Sequence, residues 1–350
     1  MTKQKKIIIL LSSVLVVLIG TVIFLWSKFG QRASLYSCTN YAMGYYIQQN
    51  IYGENAKTAA SAAASAIGTL ENLITLKSSD SDMAKLNAAA GTVWIPIHAK
   101  TARLLRTVLA IAKDSDGAYD PTILPVSALW DFGGENQHVP SESEISKYLR
   151  YVNYKDLRVS SSEDTASLRN HYEGVTLDAV RAGAACDEAV AAYRSAGAEC
   201  GIISVGTSIG IYGQKADGSA WSIAVGSPAP DSGYLDTFGE LKLTSGFVST
   251  VGTGSCSFVS GGITYHSLLN PKTGYPENNG LSSVTVVSSS GVTSDALANA
   301  CFILGREKSM SLLKKYNAEA IFADSDKHIF VTDGLKQKFT LTNSNYVLQS

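Results

Sequence analysis

From Ile7 to Trp26 the chain carries no charged residue, and this run, IIILLSSVLVVLIGTVIFLW, limits the architecture more than any other feature. At ~1.5 Å rise per residue a helix of about 20 residues reaches about 30 Å, the thickness of a hydrocarbon core. Lys3, Lys5 and Lys6 precede it, so the positive-inside rule places the N-terminus in the cytoplasm and everything after Ser27 outside. A cleaved signal peptide is the competing reading, but the run is long for such a segment and no Ala-x-Ala site follows closely. Leu35-Tyr36-Ser37-Cys38 superficially resembles a lipoprotein cleavage box. Lys28 and Arg32 separate it from the apolar run, however, and Tyr36 fits poorly. The sequence therefore predicts a cytoplasmic N-terminus over 1–6, a transmembrane signal anchor over 7–26, a polar linker over 27–40 and one extracytoplasmic domain over 41–350.

That domain is globular by composition, and a formal net charge of −1 offers no basic field for nucleic acid. The five cysteines, Cys38, Cys186, Cys200, Cys256 and Cys301, are odd in number and form no Cys-x-x-Cys pair. This argues against a zinc site and a dense disulfide framework; buried single thiols are the default, and one bridge stays open in an exported domain.

Helical spacing covers Ala56 to Leu76, Lys100 to Lys113, a segment from Ser141 that opens with a Ser-x-x-Glu cap, Asp178 to Gly197, and Thr293 to Gly305. Strand-type runs follow the fourth helix: CGIISVG, SIGIYG, WSIAVG and SSVTVVSS, with AIFADSDKHIFVTDGL as a closing hairpin. Helices and strands mix without strict βαβ alternation, so the expected class is α+β, with antiparallel-rich sheets flanked by helices.

Several stretches can carry chemistry. Asp116 to Gly134 holds an Asp120-Pro121-Thr122 turn with Tyr119, Trp130 and Phe132; it reads as a packed loop over a helix end or as a platform for a flat ring. The glycines of Ser204 to Gly213 and Gly252 to Gly262 permit close approach to a ligand, and simple bulges or a flexible hairpin explain them equally well. Asp295 and Asn299 are spaced i, i+4, so their oxygens share one helix face; this suits Mg²⁺ or, for Asp295 alone, complements a helix dipole. His266 enters the turn stretch HSLLNPKTGYP, as a satisfied core imidazole or as a reactive group on a rigid strand end.

In order along the chain these stretches resemble the ApbE family of FAD:protein FMN transferases. Gly117 to Thr122 and Leu129 to Gly133 are similar to the family's GaFDPT and LWgFG, Thr244-Ser245-Gly246 to its TSG, His266 to Pro276 to its histidine and Asp-Pro-x-Thr-Gly-x-Pro turn, and Ser294 to Asn299 to its Ser-Asp-Ala-Leu-Ala-Thr. The early Met-Gly-Thr corresponds to Met43-Gly44-Tyr45. Departures fall in the family's DLGGIAKGYAVD, whose counterpart begins at Thr176: Asp178-Ala179 replaces the glycine pair, Ala182 the lysine, while Gly183 and Asp187 remain. Ser204-Val205-Gly206-Thr207 replaces Asn-x-Gly-Gly, Asn270 an aspartate and Asn299 a threonine.

The resemblance implies an ApbE-like fold. Its activity would move FMN from FAD onto a threonine or serine of an exported or membrane flavoprotein, with Mg²⁺, and release AMP. It implies FAD contacts at Tyr119, Asp120, Thr122, Thr176, Arg181, Gly183, Asp187, Thr244, Ser245 and His266. His266 would be the catalytic base, and Asp295, Asn299 and a carbonyl near Arg181 the metal ligands. The family's acceptor stretch is Asp-x-x-Ser/Thr-Gly-Ala-Ser/Thr, which Asp236 to Gly239 does not match. The alternative is a catalytically impaired relative that binds FAD or a protein at the cell surface.

Overall fold

Alternation within the strands builds the domain outward from one sheet. The computed structural model of the protein describes residues 34–228 and 235–349. In β13 (Leu281–Ser288) Val284 and Val286 enter one core, and Val287 packs against another. In β14 (Glu319–Asp324) Ala320 and Phe322 enter the first, Ile321 and Ala323 the second. Successive side chains point to opposite faces, so strands covered on both sides read as near-continuous apolar runs.

The sheet has nine strands. Before β13 in spatial order come β1 (Leu35–Ala42), β2 (Tyr45–Tyr52), β6 (Cys200–Val205), β7 (Ser208–Tyr212) and β10 (Gly246–Gly252). After β14 come β15 (His328–Val331) and β17 (Val347–Leu348). Neighbours pair antiparallel except β15 and β17. One face is covered by β8 (Trp221–Pro228), β9 (Leu235–Leu243) and β16 (Phe339–Leu341), a three-stranded sheet over the second core. β3 (Ile95–Pro96), β4 (Leu157–Val159) and β5 (Thr165–Leu168) form a small separate sheet, and β11 (Ser257–Ser260) with β12 (Ile263–His266) a hairpin.

Helices cover the other face. α1 (Ala56–Ile74) buries Ala56, Ala59, Ala60, Ala63, Ile67, Leu70 and Ile74, a stripe at helical spacing whose small residues allow close packing. α2 (Asp82–Ala88) follows, capped by Ser81; α3 (Ala99–Asp114) buries Leu105, Val108 and Ile111. α6 (Arg181–Ala196) ends at Gly197, whose φ of 74° and the Ala198 N–H to Tyr193 carbonyl bond close the last turn. α7 (Gly291–Leu304) is buried on most of its surface, and α8 (Arg306–Lys315) returns the chain to β14.

A third core ties the histidine turn to the rest. It joins α4 (Leu124–Trp130), α5 (Glu142–Leu149) and the β11–β12 hairpin. Trp130 is fully buried, stacks on Phe132 at 5.4 Å, lies 5.4 Å from Tyr265, and donates from Nε1 to the Gly274 carbonyl at 2.9 Å. Asn270 closes the turn: its carbonyl accepts from Thr273 and Gly274, and its Nδ2 donates to Glu277 at 2.6 Å.

The α+β class and the five expected helices stand. Residues 35–40, expected as linker, instead form most of β1, so the folded part begins before residue 41. An edge strand bonds one neighbour and buries little, which leaves no apolar run to read. The apolar run expected as an anchor lies outside the described residues; among the described residues no helix is long and apolar enough to cross a membrane.

Gly274 has φ 76°, and a Cβ there would lie 2.6 Å from Ile145 Cγ2. Gly274→Ala should therefore destabilise the domain by about 2 kcal/mol, read as a lower urea midpoint at unchanged m-value.

Candidate active site

The site grows from the crossing of α6 and α7. A Cβ on Gly183 would overlap the Gly291 carbonyl oxygen, and one on Gly291 would overlap the Gly183 carbonyl. Only glycine at both positions allows the two first turns to touch. Across this contact Gly183 N–H donates to Asp295 Oδ2 at 2.6 Å. Ser208 Oγ, on β7, donates to Asp295 Oδ1 at 2.6 Å; Ser249, its register partner on β10, lies behind it. Asp295 is 5% exposed. Burial lifts its carboxyl from 3.8 to about 6, against its hydrogen-bond donors, and Asp187 pushes in the same direction. No cation pairs with it among the described residues.

Asp187, expected among the cofactor contacts, has its carboxylate on the first turn of α7. Oδ1 accepts from Gly291 N–H at 2.8 Å, and Oδ2 from Val292 N–H and Ser290 Oγ, each at 3.0 Å. Burial raises its pKa as well. Asn299 Nδ2 donates to the Asp295 carbonyl at 2.9 Å, which leaves its amide oxygen for another partner.

His266 meets the same helix further along. Its ring lies edge-on to Phe302 at 5.8 Å. Phe302 follows Asp295 by two turns, on the same face and about 10 Å along the axis. His266 is 6% exposed, and its Nε2 faces the Glu277 carbonyl at 3.1 Å. A carbonyl only accepts, so Nε2 carries the proton and Nδ1 the lone pair. Nδ1 is buried without a partner. Burial lowers the pKa, partly offset by the Glu277 carbonyl, so the ring is neutral at pH 7.

The Asp120 turn is mostly scaffold. Asp120 Oδ1 accepts from Thr122 N–H (2.8 Å) and Thr122 Oγ1 (2.6 Å), and Oδ2 from Tyr154 N–H (2.9 Å). Thr122 Oγ1 accepts from Asn153 N–H at 2.8 Å. Burial nevertheless raises the Asp120 pKa. The neighbouring Tyr119 hydroxyl is buried without a partner; burial, then Asp120 and Asp295, disfavour its ionisation. Thr176 N–H donates to the Pro121 carbonyl, and its hydroxyl accepts from Asp178 N–H at 3.1 Å.

Arg181 turns to a side cavity of about 180 Å³ shared with Met43, Gly44, Leu177 and Asp178. It pairs with Asp178 at 3.0 Å, lies over the Tyr45 ring at 4.9 Å, and keeps a buried Nε without a partner. Thr244 and Ser245 are exposed in the turn before β10. The β10 residue beside the Asp295 contacts is Ser249, which the sequence reading missed; its signal was the small polar pair Ser249-Thr250 between apolar strand residues. Asp324, Asp326 and His328 gather on the β14–β15 turn, where Asp324 already accepts from the His328 N–H and faces its Nδ1.

A mixed α+β domain with an uncompensated buried carboxylate between two helix N-termini, and an imidazole two turns on, defines the class. The ApbE family profile matches residues 43–322, and the chain belongs to that family. It is 25% identical over 335 residues to the FAD:protein FMN transferase of Treponema pallidum, covering 91% of this chain and 92% of that one. It is 27% identical over 315 residues to the Klebsiella pneumoniae protein of the same name, covering 89% and 96%. The crystal structure of the ApbE protein of Thermotoga maritima superposes with TM-score 0.79 at 27% identity, over 87% of this chain and 99% of that one. The flavinyl transferase ApbE of Pseudomonas stutzeri, at TM-score 0.77 and 23% identity over 89% and 99%, shares the fold.

Asp295 holds its proton to a higher pH in the folded chain than in the unfolded one. The folded state therefore binds more protons between about pH 4 and pH 6, and stability falls as pH rises through that window. Asp187 and Asp120 are raised too and act in the same sense. Thermal melts from about pH 4 to pH 7 should show a decline that Asp295→Asn flattens. An Asp295→Asn profile parallel to the parent would contradict this assignment.

Proposed function

We propose that this chain is an FAD:protein FMN transferase that moves FMN from FAD onto a threonine or serine of an exported or membrane flavoprotein and releases AMP. The names of its curated relatives support the activity. The observation that carries it here is Asp295: a buried carboxylate with no cationic partner among the described residues, two turns along α7 from Phe302, the ring against which the imidazole of His266 lies. Such a group fits a hard cation, which would relieve the burial penalty and share its coordination with substrate phosphates. Asp295 would hold Mg²⁺, with the Asn299 amide oxygen and a backbone carbonyl near Arg181 as neutral ligands. Bound there, Mg²⁺ supplies charge neutralisation on the diphosphate.

The chain's own groups do the rest. Ser208 and Gly183 N–H fix the carboxylate's orientation. The free lone pair of His266 Nδ1 takes the proton of the incoming hydroxyl, while the Glu277 carbonyl holds the ring through Nε2–H. Arg181 and Lys77 both line the Met43–Gly44 cavity and are the cations available to the dinucleotide on that side. The Asp178 pairing favours a second reading, an FAD binder with weak turnover, because that carboxylate competes with phosphate for Arg181. The apolar run over 7–26 would anchor the domain on the outer side of the membrane, where its acceptors are.

Full-length protein in detergent, given FAD, Mg²⁺ and a peptide carrying the acceptor stretch, should attach one FMN mass to the peptide and release AMP. A chelator should abolish the reaction, and Mg²⁺ should restore it. His266→Ala should lower the rate by roughly 10²–10⁴-fold, the usual worth of a general base. Tight FAD binding without peptide modification would establish the second reading instead.

A further inference from the structure

One pattern occurs twice at the α6–α7 crossing. Gly183 and Asp187 are spaced i, i+4 on α6; Gly291 and Asp295 are spaced i, i+4 on α7. The two glycines touch. Each aspartate then reaches the glycine N–H of the other helix: Asp295 accepts from Gly183 at 2.6 Å, and Asp187 from Gly291 at 2.8 Å. The two helices therefore cap each other. First-turn N–H groups have no intrahelical acceptor and carry the positive end of the helix dipole, so each carboxylate is held where a carboxylate is favoured.

The two halves are not equal. Asp187 gives both oxygens to the cap, accepting from Gly291 N–H, Val292 N–H and Ser290 Oγ. Asp295 gives Oδ2 to the cap and turns Oδ1 to Ser208 on the sheet. The Asp187 half thus fixes the axial position and rotation of the first turn of α7. Asp295 sits one turn further along the same helix, so its place over β7 and β10 follows from the Asp187 bonds.

We propose that Asp187 is a positioning residue: through this reciprocal cap it holds the Asp295 carboxylate where a cation can reach it, without touching the dinucleotide itself. The functional part of this inference rests on the transferase reading above. It replaces the expectation that Asp187 contacts the cofactor.

The test is Asp187→Asn in the full chain, which keeps the side chain's size but loses acceptor capacity for three donors. Two readouts are taken. The first is hydrogen exchange at the Gly183 amide, the opposite half of the cap, with β13 amides as the internal reference. The second is the Mg²⁺ midpoint for FAD cleavage, measured beside the KM for FAD. Gly183 exchange should quicken about tenfold relative to β13, and the Mg²⁺ midpoint should rise about tenfold, while KM for FAD stays within about twofold. Ser290→Ala removes one of the three donors and should move both readouts the same way by less; it carries the test if Asp187→Asn does not fold. Unchanged Gly183 exchange, or a raised KM for FAD at an unchanged Mg²⁺ midpoint, overturns the proposal. If the parent protein does not cleave FAD, the transferase reading fails separately, and Gly183 exchange alone decides the cap.

Discussion

The backbone contact between Gly183 and Gly291 is the constraint on which the rest of the molecule depends. It lets two helix N-termini meet, and the carboxylate of each helix answers the free N–H groups of the other. Without that approach Asp295 would have neither its Gly183 donor nor its seat over Ser208. With it, α7 becomes a rigid ruler: Asp295 near one end, Phe302 two turns on, and His266 against Phe302. The histidine is held independently at its other side, because the Asn270 turn is anchored through the Gly274 carbonyl to Trp130. A buried tryptophan on α4 and a pair of glycines therefore set the spacing of two groups far apart in the chain.

The electrostatics of this arrangement are one-sided. Asp295 and Asp120 are buried and Asp187 partly buried; burial raises all three, and all are satisfied by N–H or O–H donors rather than by cations. Arg181 is close in sequence but turned away, paired with Asp178 over Tyr45. A diphosphate entering such a region would meet fixed negative charge. The arrangement makes chemical sense when a divalent cation stands between carboxylate and phosphate, which is why the buried acid and the metal belong to one argument.

Much of this was legible in the sequence, for identifiable reasons. The Ala56 and Lys100 helices announce themselves by spacing, and α7 by its apolar run, although it begins at Gly291, ahead of the expected Thr293, with Ser290 as its cap. β13 and β14 read as strands because both of their faces are covered. β1 did not, because an edge strand such as LYSCTNYA, partly exposed on both faces, carries little pattern. His266 and Asp295 each kept a purely structural reading on the residues alone, a core imidazole and a helix-dipole charge, and the family resemblance singled them out as chemistry. The role of Asp187 was not legible, since its partners at Ser290, Gly291 and Val292 lie more than a hundred residues away along the chain. Ser208 opens β7 and Ser249 sits beside Thr250 within β10, and their meaning came from the register that pairs them. Resemblance to a family motif located residues; it did not say which of them hold the scaffold and which are free to act.

Anomalous diffraction from crystals grown with Mn²⁺ and FAD tests the central claim most directly. The account predicts a Mn²⁺ peak bonded to the Asp295 carboxylate and to a diphosphate oxygen, with the imidazole of His266 facing the same ligand. A peak on Asp324, Asp326 and His328 instead, or FAD bound away from α7 with no metal at Asp295, would contradict it.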